Sequence, residues 1–152
     1  MTRLLRIALL VAIGASAGSS FAADERTTMA VESRQGVFEV IRMYFGPIFG
    51  MVRGQIPFDG DVVTANATKI SQLAAMIPDG FVANTKGADV ETEALDHIWD
   101  NIEDFNSKAS AMGEKATALA AAGGEGLDAT RQAFGAMGQA CKACHDEYRV
   151  QQ

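Results

Sequence analysis

Leu127-Asp128-Ala129-Thr130-Arg131-Gln132-Ala133-Phe134-Gly135-Ala136-Met137-Gly138-Gln139-Ala140-Cys141-Lys142-Ala143-Cys144-His145-Asp146-Glu147-Tyr148 decides the fold. Leu127, Thr130, Phe134, Met137, Cys141, Cys144 and Tyr148 recur in steps of three and four, which places them on one face of a helix. So narrow a seam fits the left-handed packing of a helix bundle. Just upstream, Gly123-Gly124-Glu125-Gly126 allows only a tight connection, and short connections force antiparallel neighbours. Before it, Leu95, Ile98, Ile102, Phe105, Ala109, Met112, Ala116 and Leu119 keep the same stepping and predict a third helix.

Moving further toward the N-terminus, Val63, Ala67, Ile70, Leu73, Ala74 and Ile77 form the stripe of a helix over about 61–77. Asp59 or Asp61 is placed to cap it, and Pro78-Asp79-Gly80 ends it. The stretch after Gly80 has little periodicity and makes the longest connection. Gly54, Pro57 and Gly60 mark a loop before the second helix. From about Asp24 to Val52 a first helix carries Val37, Phe38, Ile41, Tyr44, Phe45, Ile48 and Val52 on one side. Gly46-Pro47 inside it predicts a kink or break, because proline lacks a backbone donor and crowds the preceding turn. No strand alternation and no internal repeat interrupts this reading. The expected fold class is all-α, an antiparallel up-down-up-down four-helix bundle.

Composition agrees. A length of 152 residues suits one domain, and 48% hydrophobic with 21% charged residues describes a chain that folds. Only three prolines argue against a many-turned sandwich or barrel. A formal charge of −6 argues against nucleic acid as a partner, since such binders need basic patches to displace counterions.

Residues 1–22 read as an address. Arg3 and Arg6 precede the apolar run Ile7-Ala8-Leu9-Leu10-Val11-Ala12-Ile13, and small residues lead to Ser20-Phe21-Ala22. That order describes a secretory signal peptide with cleavage after Ala22, leaving 23–152 as the mature bundle. The apolar run is shorter than the roughly 20 residues of a membrane span, and no lipid-attachment cysteine follows it. The expectation is a soluble exported protein with no membrane association after cleavage.

Both cysteines of the chain fall in Cys141-Lys142-Ala143-Cys144-His145. Cys-x-x-Cys-His is the attachment sequence of c-type haem. On a helix Cys141, Cys144 and His145 share a side. Two thiols can form thioethers to the haem vinyls while the imidazole reaches the iron, so His145 is the candidate metal ligand. Three other readings compete. A thioredoxin-like redox pair needs a strand–helix setting, which is missing here. A zinc site needs four ligands, and beyond these three the chain offers only the distant His97. A disulfide between i and i+3 on a helix is geometrically poor.

With these residues in view the sequence resembles the cytochrome c′ family. The resemblance is carried by Cys141 through Arg149 at one end, and by Arg34-Gln35, Phe45-Gly46, Gly54-Gln55 and Pro57-Phe58-Asp59 at the other. It covers the whole mature chain and implies one covalently attached haem c per subunit. It also implies that Arg34 and Gln35 lie near the haem propionates, that Phe38 stands over the open face of the iron, and that Arg149 lies on the proximal side. Thr85 and Asp89, in the long connection, reach the haem edge by the same match. Family members pair as homodimers through their first two helices. Val40, Phe49 and Val63 are the apolar residues available for that patch.

The expected function is a periplasmic haem c protein whose five-coordinate iron binds NO and CO and transfers electrons to a redox partner still to be identified. An apolar side chain over the iron offers no hydrogen-bond donor, which O₂ needs more than NO or CO do. The alternative is a six-coordinate, low-spin electron carrier with a methionine as sixth ligand. Its candidates are Met43, Met51, Met76 and Met112, with His97 expected at the surface. No peroxidase-type distal acid–base pair is present, so no enzyme activity is expected.

Overall fold

A computed structural model describes residues 17–151. Four helices run α1 (Ala17–Val52), α2 (Gly60–Ala74), α3 (Ile102–Gly123) and α4 (Leu127–Tyr148), with short 3₁₀ turns at Pro78–Phe81 and Asp96–Asp100. They form an antiparallel four-helix bundle. The apolar run Ile7–Ile13 of the expected leader lies outside the described residues. Ala17 to Ala22 are helical and continuous with α1.

The core is built from the seams of the sequence. Ile48, Val63, Ala67, Ile70, Ala116, Leu119 and Met137 are fully buried, with Phe81, Phe105 and Tyr148 nearly so. Phe105 joins two elements, packing against Phe81 at 4.5 Å and edge-on to Tyr148 at 5.4 Å. Such ring pairs add to simple area burial. Helix α2 starts where Asp59, in extended conformation, accepts hydrogen bonds from the Asp61 and Val62 amides at 3.0 and 3.1 Å. That satisfies two donors that a helix start otherwise leaves open.

The α2 and α3 backbones press together at Gly60 and Gly123. A Cβ on Gly60 would collide with the Gly123 carbonyl oxygen, and one on Gly123 would stand 2.6 Å from Thr64 Oγ1. Across the tight turn that follows, the buried Thr130 hydroxyl lies 2.9 Å from the Gly126 carbonyl oxygen and 3.2 Å from that of Ala122. It ties the start of α4 to the end of α3.

Three expectations are corrected. The seam from Leu95 to Leu119 is not one helix: α3 begins at Ile102, and Ile98 is buried from a 3₁₀ turn that ends at Asp100, with Asn101 (φ −133°) between the two. Pro47 does not break α1, which continues to Val52. Its neighbourhood is braced from α2, where Asn66 donates to the Tyr44 carbonyl at 3.2 Å. Val63 is wholly buried and Phe49 is engaged with Phe45 and Phe134, so of the three residues named for a surface patch only Val40 is exposed.

Candidate haem site

Cys141 and Cys144 project from α4 half-buried against the core, both as free thiols. His145 follows on the exposed side. Together with Phe45 of α1, Gly138, Lys142 and Asp146 of α4, and the tail residues Arg149, Val150 and Gln151, Cys141 and His145 line a cleft of about 370 Å³. The cleft begins where α1 and α4 part. On one side of that point Phe45 stacks on Phe134 at 4.9 Å, and Arg131 donates to the Val52 carbonyl at 3.2 Å.

Burial pushes both thiols up from their ordinary range, Cys144 to about 11. Partial desolvation by the cleft walls, and then the positive charge of Arg149, lower the His145 imidazole although the residue as a whole is exposed. It is therefore neutral at neutral pH, the form that donates a lone pair to a metal.

The tail is fixed by an antiparallel bridge between Ala94 and Arg149. The Leu95 amide donates to the Tyr148 carbonyl at 3.0 Å, and the Val150 amide donates to that of Glu93 at 2.8 Å. Arg149 meets Glu93 with Nε 3.4 Å from Oε2. On the other side of α4, Tyr148 donates to Asp104 of α3 at 2.6 Å. Lys108 joins Asp104 and Glu147 there.

The remaining candidates gather away from the cleft. Arg34 is buried with Nη2 donating to Thr85 Oγ1 at 2.8 Å, and its guanidinium lies over the rings of Phe81 and Trp99 at 4.9 and 5.4 Å. Its Nε and Nη1 are buried without a partner. Gln35 donates to the Glu91 carbonyl at 3.1 Å. Asp89 is exposed on the same loop and Thr85 is buried. Phe38 is 37% exposed and borders a crevice with Arg34, Met76 and Phe81; it does not line the cleft. It lies two helical turns, about 10 Å, before Phe45 on the same face. His97, expected at the surface, is half-buried with its ring 5.2 Å from that of Tyr148. Met51 and Met112 are core residues, and Met43 and Met76 are exposed.

These residues fit a haem. Its thioether and imidazole donors sit on one side of one helix. Gly138 presents bare backbone to the cleft, and a Cβ there would meet no atom within 4 Å. The two unpartnered donors of Arg34 call for an anion, and a buried guanidinium left half-satisfied is costly. Among the described residues no cluster of three or more His, Cys, Asp or Glu side chains is arranged to hold a metal ion. No described helix is long and apolar enough to cross a membrane. The sequence reading does not single out Gly138, Val150 or Gln151. Gly138 was detectable, because it precedes Cys141 by one helical step.

Comparison with known proteins agrees. A family model described as Cytochrome C′ matches residues 29–149. The chain is 35% identical over 152 residues to a cytochrome c′ of Cereibacter sphaeroides, covering 99% of each. It superposes on the cytochrome c prime structure from Shewanella frigidimarina with a TM-score of 0.75 and 36% identity, over 82% of this chain and 97% of that one. The nitric oxide complex of a variant of the Alcaligenes xylosoxidans protein gives a TM-score of 0.68 at 32% identity, over 80% and 94%.

Proposed function

The chain belongs to the cytochrome c′ family, and from that premise we propose that it is an exported haem c protein that binds NO and CO at a five-coordinate iron and passes single electrons. One observation carries the reading. Cys141 and His145 face a cleft, with Cys144 alongside on the same helix, and the other cleft walls hold neither a methionine nor a second histidine. The likeness to a protein crystallised with nitric oxide supports the choice of gas.

Bound haem supplies an iron that exchanges one electron and has an open position for a diatomic gas. Cys141 and Cys144 anchor it covalently, one group per chain. His145, held neutral, donates to the metal. Phe45 gives the α1 side of the cleft an apolar wall, while Lys142, Arg149 and Gln151 bring hydrogen-bond donors to the opposite side. Arg34, fixed by Thr85 and by two aromatic faces, lies away from the cleft with two buried donors left unpartnered. The leader over 1–22 directs the chain to the periplasm with cleavage after Ala22, a homodimer forms through α1 and α2, and no enzyme activity accompanies gas binding.

Absorption spectra of the purified holoprotein in both oxidation states, with and without NO, test this. High-spin five-coordinate bands and a shift on adding NO are expected. Low-spin bands before any gas is added would instead establish the methionine-ligated carrier.

A further inference from the structure

We propose that Glu93 is a positioning residue for Arg149, fixing its guanidinium at the His145 end of the cleft so that its charge acts on the iron from one place. This rests on the haem c reading above. Arg149 is the first residue beyond α4, in extended conformation (φ −123°, ψ 144°), so the helix no longer aims its side chain. Direction comes from the bridge instead. The hydrogen bonds from the Leu95 and Val150 amides, 3.0 and 2.8 Å, hold Glu93 and Arg149 on adjoining segments, and Glu93 Oε2 comes to 3.4 Å from Arg149 Nε.

An exposed ion pair between free side chains contributes little, mainly because both arms must be ordered. Here the backbone has already set both Cα positions. The carboxylate that lines the cleft, Asp146, is taken by Lys142, whose Nζ lies 2.6 Å from both of its oxygens. Glu93 is left as the acid that Arg149 meets.

The test uses a property of electrostatics. Charges at fixed places add their effects on a metal's potential independently, so a departure from additivity reports that one residue places the other. Midpoint potentials are measured on the holoprotein and on Glu93→Gln, Arg149→Gln and the combined variant, each with the parental ferric spectrum. Removing Arg149 should shift the potential downward in the parent. In the Glu93→Gln background the same removal should give roughly half that shift or less. In an Asp146→Asn background the shift should keep its full size. Equal shifts with and without Glu93, or no shift on removing Arg149 from the parent, would overturn the proposal while leaving the haem c reading intact. A parent purified without haem would overturn that reading and this one with it.

Discussion

At the scale of single residues, the Tyr148–Asp104–Lys108 group gives the molecule a legible response to pH. Hydrogen bonds from Lys108 and Tyr148 hold the Asp104 carboxyl below its ordinary value. A depressed carboxylate contributes stability above its unfolded pKa, and the contribution is lost as pH falls through the folded value. Burial and Asp104 push Tyr148 up to about 12. That contribution is present below the unfolded tyrosine value of about 10 and is lost as pH rises toward the folded one. Urea unfolding followed by circular dichroism across pH should therefore show a weaker acid dependence in Asp104→Asn and a weaker alkaline one in Tyr148→Phe. Arg34 shows where a residue's setting escapes sequence. Its neighbours in the chain are polar and exposed, and it is buried only because Phe81, Thr85 and Trp99 close over it from distant segments.

At the scale of elements, caps and close approaches carry the measurable consequences. Asp59→Ala should cost about 1 kcal/mol, the usual worth of an N-cap, in equilibrium urea unfolding. Gly60→Ala should cost more, about 1–3 kcal/mol, because the new methyl meets a backbone oxygen that cannot rotate aside. Helix α4 was legible residue for residue, from Leu127 to Tyr148, because its seam, its glycine-rich start and its helical spacing all point one way. The start of α3 was not. Leu95 and Ile98 fit a helical period, and one 3₁₀ turn of 96–100 satisfies the same spacing while burying the same isoleucine. Periodicity reports which side chains go inward, and it is blind to a turn tightened by one residue. The tail bridge was invisible for a related reason: it joins residues with no pattern of their own through backbone atoms alone.

At the scale of the whole molecule, the core and the cleft make separate demands. The described core closes around α2 and α3, while the cleft between α1 and the end of α4 stays open to solvent. A porphyrin anchored there would bury apolar area that the unfolded chain exposes. Cys141→Ala/Cys144→Ala, which has no thioether anchors, should melt at a lower temperature than the holoprotein in thermal circular dichroism. Equal melting temperatures would mean that the bundle does not fold around the group. The four-helix architecture followed from spacing alone, and the haem from five consecutive residues. Arg34 and Phe45, eleven residues apart on α1, stand about 16 Å apart along the helix, and Thr85 goes with Arg34 through their hydrogen bond.

Two bare backbones in contact at Gly60 and Gly123 leave that side of the barrel of helices without slack. Space for a flat ring would therefore have to come from the other side of the bundle, where α1 meets α4 through Phe45 on Phe134 and Arg131 on the Val52 carbonyl.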